Sequence, residues 1–172
     1  MVPDVHIAPA REQDVPVILQ LITALGDYEK MAHEVVASEE DIRAALFGPR
    51  PAAEVLLAWA APSAADLKVR PEAIGFALFF HNFSTFLGRR GLYLEDLFVV
   101  PEWRGRGVGK RLLTALARIA VERNCGRMEW AVLDWNELAI GFYERQGARV
   151  LQDWRVCRLT GDGLMQLAAA GS

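Results

Sequence analysis

The sequence contains little cysteine and little histidine, the residues that build most disulfide frameworks and zinc sites. Among its 172 residues are 2 cysteines and 3 histidines. Cys125 and Cys157 are far apart and form no C-x-x-C pair, and His6, His33 and His81 show no metal-ligand spacing. We therefore expect neither a disulfide framework nor a bound metal.

An excess of positive charge is also missing, as is any long apolar run. The formal net charge is −3, with 19 Lys and Arg against 22 Asp and Glu, which argues against a nucleic-acid binder that depends on a basic surface. The sequence has no run of about 18 apolar residues, and Pro3 and Asp4 stand where a secretory signal would have basic residues. We expect a cytoplasmic protein that binds neither nucleic acid nor membrane.

Composition and periodicity predict one domain, over residues 1–172, in which strands and helices alternate. The sequence is 52% hydrophobic and 24% charged, as in an ordinary globular protein. Gly26 is expected to end or bend the first helix, and Ser38 to Asp41 resemble a capping box that opens the second. The apolar pattern predicts strands at 5–8, 54–60, 73–80, 92–100, 128–133 and 150–159. It predicts helices at 11–31, 38–47, 107–123 and 136–146. A hairpin loop is expected at 61–71 and a short helix or frayed end at 163–170.

A glycine-rich turn between a strand and an amphipathic helix is the most informative segment. Such a turn leaves backbone N–H groups without partners at the positive end of the helix dipole, which favours phosphate oxygens. A Walker A loop is excluded, because Arg104 occupies a required glycine position and Arg111 the Ser or Thr position. Gly105, Gly107 and Gly109 also lack the G-x-G-x-x-G spacing of dinucleotide-binding proteins. The pattern that remains is R-x-x-G-x-G.

Two later segments give this loop a family context. An apolar strand leads to Asn136, which is suited to cap a helix, and the helix that follows carries F-Y-x-x-x-G-A with Gly147 as its C-cap. The order strand, R-x-x-G-x-G, helix, strand, N-x-x-A, F-Y-x-x-x-G-A closely resembles the core of the GNAT acetyltransferases. The resemblance implies acetyl-CoA as co-substrate and the GNAT fold of the α/β (α+β) class. In that fold a mixed, mostly antiparallel central sheet is flanked by helices and has a splayed cofactor-binding cleft.

Several motifs resemble the spermidine/spermine (diamine) N-acetyltransferases and their thialysine-acetylating relatives, over residues 5–158. One departure stands out: where the polyamine enzymes carry an aspartate and a tryptophan, this chain has residues 82–86, N-F-S-T-F. The missing aspartate favours a shorter substrate with one or two cationic groups. The motifs are Tyr28-Glu29-Lys30-Met31, Gly75-Phe76-Ala77, Gly88-Arg89, Tyr93-Leu94-Glu95-Asp96-Leu97-Phe98-Val99 and Asp134-Trp135-Asn136-Glu137.

Acetyl transfer to an alkyl amine requires a base, because about one amine in a thousand is neutral at pH 7. Glu95 and Asp96 are adjacent, and strand alternation is expected to point them to opposite faces. The Tyr143 phenol is protonated at neutral pH and can donate to a departing thiolate. From the residues alone, an E-D pair is more often a surface feature and a helical F-Y pair more often core packing. The resemblance is the reason to prefer the catalytic interpretation.

Carried over by position, the resemblance implies Tyr143 as general acid and Glu95 as the base, acting directly or through water. A backbone N–H near Phe98 is expected to stabilise the oxyanion, where the strand must splay or bulge. The resemblance also implies a homodimer. The substrate-binding positions are Tyr28, Glu29, Glu95 and Asp96; the cofactor-binding positions are Leu97, Phe98, Val99, Arg104, Gly105, Arg106, Gly107, Val108, Gly109, Lys110, Asn136 and Ala139.

Two other functions stay open at this point. One is acetylation of a peptide N-terminus or a protein lysine, which needs a groove for the peptide backbone. The other is a catalytically silent module that binds acyl-CoA, but the presence of both Tyr143 and Glu95 argues against it.

Overall fold

The structure, a computed structural model, describes residues 4–61 and 71–171. The described residues form two compact units, one ending at Ala131 and the other beginning at Val132. Most of the loop expected at 61–71 lies outside the described residues. Within the described ranges no helix is long and apolar enough to cross a membrane. A single domain over the whole chain stays a prediction.

The first unit is built on a five-stranded sheet in the order β1-β2-β3-β4-β5. All neighbouring pairs are antiparallel except β4 and β5, which are parallel. The prediction of a mixed, mostly antiparallel sheet is therefore confirmed. The strands are β1 Val5–Pro9, β2 Glu54–Ala60, β3 Glu72–Ser84, β4 Arg89–Val99 and β5 Met128–Trp130.

Three helices accompany this sheet: α1 Val15–Tyr28, α2 Glu39–Phe47 and α3 Val108–Glu122. The predicted capping box is present, since Ser38 Oγ accepts from the Asp41 N–H at 3.2 Å and the Asp41 carboxylate accepts from the Ser38 N–H at 2.9 Å. Gly26 is expected to end or bend the first helix, and an end there is wrong, because α1 continues to Tyr28. A Cβ at Gly26 would lie 2.7 Å from Val35 Cγ2, so glycine lets the following turn approach the helix.

The core of the first unit lies between the sheet and the helices. Val108, Leu112 and Leu116 form the predicted apolar stripe of α3 and are all buried, and α3 crosses over from β4 to the parallel strand β5. A second cluster brings α1 and α2 together with the sheet: Ile18, Leu21, Leu46, Val55, Leu57, Phe76 and Phe98. Burial of Phe98 fixes the end of β4, from which the candidate site is built.

The second unit contains α4 Glu137–Glu144 and α5 Gly161–Ala169. Asn136 caps α4 as predicted, accepting at Oδ1 from the Ala139 N–H at 3.2 Å. The strand predicted at 150–159 is wrong: these residues form no strand. A strand needs a hydrogen-bonded partner, and none of the described strands pairs with this segment. The fifth strand is also shorter than predicted and ends at Trp130.

Candidate active site

The second half of β4 has an open edge on the side of β5. The ladder between these strands joins Leu92 to Met128, Tyr93 to Glu129 and Leu94 to Trp130, and there it ends. β4 itself continues for five residues to Val99. The strand edge from 95 to 99 therefore has no partner among the described strands on that side, and it contains the positions predicted to pair with the pantetheine chain: Leu97, Phe98 and Val99.

A β-bulge interrupts β4 where this open edge begins. Leu78 of β3 pairs with Asp96, but the next residue, Phe79, pairs with Leu94, so that Glu95 is an extra residue in the ladder. The bulge thus lies at Glu95, whereas the sequence placed it near Phe98. The bulge also interrupts the strict alternation of β4 side chains between the two faces of the sheet. Glu95 is exposed and Asp96 is half-buried.

Asp96 is subject to the charges of two other carboxylates of the first unit, Glu95 and Glu29. Burial, followed by the nearby charges of Glu95 and Glu29, raises the pKa of Asp96 to about 6. Burial also raises the pKa of Glu29, which directly follows the last residue of α1. Carboxylates that repel one another and lie partly out of water are stabilised by a cation placed among them. The predicted substrate positions Glu29, Glu95 and Asp96 are therefore brought together.

We expect Asp96→Asn to reduce the loss of stability as the pH rises from about 4 to about 7. Because the folded pKa of Asp96 lies above the ordinary value, the folded state retains a proton that the unfolded chain has released. The free energy of unfolding contributed by Asp96 therefore falls across this window, by on the order of 2–3 kcal/mol. Urea unfolding at several pH values measures it. Asp153→Asn, at an exposed position, is the control. A pH dependence of stability in Asp96→Asn equal to that of the wild-type protein would contradict the raised pKa of Asp96.

The glycine-rich loop leads into the first turn of α3 and leaves the start of that helix without a side-chain cap. Gly105 and Gly107 have positive φ angles of 72° and 82°, and a Cβ at either position would meet no protein atom within 4 Å. Gly107 is the N-cap of α3, and no side chain caps the helix there. The first N–H groups of the helix are thus available at its positive end. Arg106 and Lys110 are exposed beside them.

Arg104, the first residue of the R-x-x-G-x-G pattern, contacts the end of α1. Its guanidinium lies 4.1 Å from the ring centroid of Tyr28 and 5.5 Å from that of Phe98. Its Nε–H donates to the Val99 carbonyl at 2.9 Å. The sequence assigned Arg104 to the cofactor and Tyr28 to the substrate, but no pattern in the sequence indicated that these two side chains touch.

The remaining predicted site residues belong to the second unit. Tyr143 lies on α4, half-buried, with its ring centroid 5.2 Å from that of Phe142. Asn136 and Ala139 form the N-terminal cap of the same helix. The capping interaction fixes the start of α4, and Tyr143 follows from it by helical geometry. The roles of these three residues stay predictions.

Asn82, part of the segment that departs from the polyamine enzymes, is tied to another part of the sheet. Its Nδ2 donates to Glu129 Oε2 at 3.0 Å, and Arg127 Nε lies 2.8 Å from the same carboxylate oxygen. Asn82 pairs with Gly91 in the β3–β4 ladder, whereas Asp96 pairs with Leu78. The Nδ2 group of Asn82 is therefore held by Glu129, at a register position separate from that of Asp96.

The chain is similar to known proteins both in sequence and in structure. The model of the acetyltransferase (GNAT) family matches residues 30–148. The chain is 38% identical to the L-ornithine N5-acetyltransferase NATA1 of Arabidopsis thaliana over 198 aligned residues, covering 94% of this chain and 87% of the relative. It is 37% identical to the thialysine N-epsilon-acetyltransferase of Bos taurus over 172 aligned residues, covering 95% and 97%. Among solved structures, the integron cassette protein VCH_CASS6 from the mobile metagenome of V. cholerae matches with a TM-score of 0.75 and 27% identity, over 98% of both chains.

Proposed function

This chain belongs to the acetyltransferase (GNAT) family and is an N-acetyltransferase that acts on an amine, and we propose that it transfers the acetyl group of acetyl-CoA to a short cationic substrate. The proposed substrate class is the side-chain amine of a lysine-like amino acid, such as ornithine or thialysine, in preference to a long polyamine. The amine attacks the thioester directly, without a covalent acetyl-enzyme.

Acetyl-CoA is supported as the acyl donor by the glycine-rich loop and the strand edge beside it. GNAT enzymes generally use this co-substrate. The uncapped N-terminus of α3 and the open space at Gly107 fit a pyrophosphate, which needs N–H donors and close approach of the backbone. The unpaired edge of β4 from 95 to 99 fits the amide groups of pantetheine, which can add to a strand as a peptide does. When bound, acetyl-CoA supplies the acetyl group and the thiolate leaving group.

The observation that carries the substrate proposal is the group of three carboxylates, Glu29, Glu95 and Asp96. The charges of Glu95 and Glu29 act on the half-buried Asp96, and Glu29 is itself partly buried, which favours a cation beside them. In the proposed reaction Glu95, which is exposed at the bulge, accepts the proton of the amine directly or through water. Asp96 and Glu29 hold the ammonium before that step, and Tyr143 donates the proton to the leaving thiolate.

A short amino acid is favoured over a polyamine by two further observations. Two relatives, 38% and 37% identical to this chain over the aligned residues, are named for ornithine and thialysine. In addition, the chain lacks the aspartate that the polyamine enzymes would supply in the segment at 82–86, and Asn82, near the end of β3, is bound to Glu129. A long polyamine would therefore find no second anchor at this position.

The experiment that tests the function measures release of free CoA thiol from acetyl-CoA. The amines are ornithine, thialysine, lysine, putrescine, spermidine, spermine and a short peptide. We expect saturable turnover of at least one short amino acid, with a kcat/KM about tenfold or more above that of spermine. Selective turnover of spermine would contradict the substrate class. Turnover of the peptide alone would favour the peptide acetyltransferase, and binding of acetyl-CoA with no turnover would favour the silent module.

A cytoplasmic homodimer completes the proposal. The dimer is supported by apolar side chains that the described chain leaves exposed between α4 and α5, because large exposed apolar patches are typical of interaction surfaces. Light scattering during size-exclusion chromatography tests it, and a mass of 19.1 kDa, that of one chain, would contradict it. These exposed side chains are Val150, Leu151, Trp154, Val156 and Leu159.

A further inference from the structure

Arg104 links the glycine-rich loop to the end of α1, and we infer that its side chain is a positioning residue for the amine substrate rather than a phosphate ligand. The inference rests on the proposed function, because it concerns the residues proposed to bind the amine. It assigns phosphate binding in this loop to the backbone N–H groups and to the other basic side chains. The side chain of Arg104 then has a separate task.

Three contacts fix the direction of the Arg104 side chain. Its guanidinium lies over the Tyr28 ring at 4.1 Å, with the Phe98 ring 5.5 Å away, and its Nε–H donates to the Val99 carbonyl at 2.9 Å. A planar guanidinium stacked on an aromatic ring and hydrogen-bonded at Nε has lost most of its rotational freedom. The side chain is thereby held between the last turn of α1 and the end of β4.

This arrangement orders the residues proposed to receive the amine. Tyr28 is the last residue of α1, Glu29 is its C-cap, and the Tyr28 ring also contacts Phe98 at a centroid distance of 6.5 Å. Phe98 is itself buried in the core. Arg104 therefore covers a helix end that also contacts the core through Leu25 and the Tyr28 ring. Because Glu29 directly follows Tyr28 as the C-cap of α1, movement of this helix end also moves the Glu29 carboxylate.

Phosphate binding and amine positioning should consequently be separable by substitution. The N–H groups at the start of α3 remain in place when the Arg104 side chain is shortened, since the backbone conformation there depends on Gly105 and Gly107. By contrast, removing the guanidinium removes both the cation over Tyr28 and the hydrogen bond to Val99.

The first experiment compares the wild-type protein with Arg104→Gln. We expect the KM for the amine to rise about tenfold or more, while the Kd for acetyl-CoA, measured by calorimetry without amine, stays within about threefold. Arg104→Lys should not restore the amine KM, because lysine keeps the charge but lacks the planar face and the Nε–H donor. A tenfold weaker Kd for acetyl-CoA with an unchanged amine KM would overturn the inference and make Arg104 a phosphate ligand.

A double-mutant cycle with Tyr28→Leu tests whether the two side chains act through each other. If they do, the double variant should raise the amine KM no more than about twofold beyond the stronger single variant. If the fold-changes of the two single variants in the amine KM instead multiplied in the double variant, the inference would be overturned. The same cycle, measured on urea unfolding of the four proteins, needs no amine and tests the contact by itself. Failure of every amine on the panel would thus reject the proposed function, while additive unfolding energies would separately reject the role of Arg104.

Discussion

Replacement of Gly107 by valine should weaken the binding of acetyl-CoA by about tenfold or more. Gly107 has φ = 82°, a conformation that costs a β-branched residue on the order of 1–3 kcal/mol. The chain can relieve this strain only by rotating the peptide groups that begin α3, which turns their N–H groups away from a bound phosphate. The Cβ would also enter the space that the protein leaves open at this position. Calorimetric titration with acetyl-CoA measures the effect.

Gly88→Val is the matched control for this substitution. Gly88 also has a positive φ, 61°, and a Cβ there would also meet no protein atom within 4 Å. It lies in the turn between β3 and β4. The backbone cost is therefore similar, but none of the predicted cofactor residues is affected. We expect Gly88→Val to bind acetyl-CoA within about twofold of the wild-type protein. An unaltered Kd in Gly107→Val would reject the loop as the phosphate site.

Features fixed by neighbouring residues could be predicted from the sequence. Ser38 and Asp41 form their capping box, and Asn136 caps α4, because each motif needs only a side chain and a backbone group three residues apart. The strand at 54–60 and the buried stripe of α3 follow from apolar periodicity. The glycine loop was likewise predicted, since its spacing is local.

Features fixed by pairing partners could not be predicted as well. β3 extends to Ser84 and β4 begins at Arg89 although these ends are polar, because each strand supplies the other with hydrogen bonds. Conversely, the apolar residues at 150–159 have the composition of a strand, yet no described strand pairs with them. A prediction from intrinsic preference alone therefore made the β3–β4 hairpin too short and placed a strand at 150–159 that the structure does not contain.

The candidate site shows the same limit. The residue types at Glu95, Asp96 and Arg104 were identified from motifs, but the bulge at Glu95, directly beside Asp96, depends on the register between β3 and β4. The stacking of Arg104 on Tyr28 joins residues that are far apart in the sequence. Neither feature produces a local pattern, and both determine how the proposed substrate residues are arranged.

Replacement of Tyr143 by phenylalanine should lower the rate of acetyl transfer roughly ten- to a thousandfold, in line with the loss of a general acid. The substitution removes one oxygen and keeps the aromatic ring, which lies 5.2 Å from Phe142, so that α4 should retain its packing. Without the phenol, the proposed thiolate leaves without a proton donor. The rate should be measured in a single turnover with saturating acetyl-CoA and amine, because slow product release would hide a change in the chemical step.

The control for this loss is Tyr93→Phe, which removes the same oxygen from a tyrosine of β4 whose ring packs 5.1 Å from Phe80. We expect its single-turnover rate to stay within about twofold of the wild-type rate, and both variants to bind acetyl-CoA normally. A normal rate in Tyr143→Phe would exclude Tyr143 as the acid, and an equal loss in both variants would point to a general effect on folding. Loss confined to Tyr143→Phe would place the proton donor on α4.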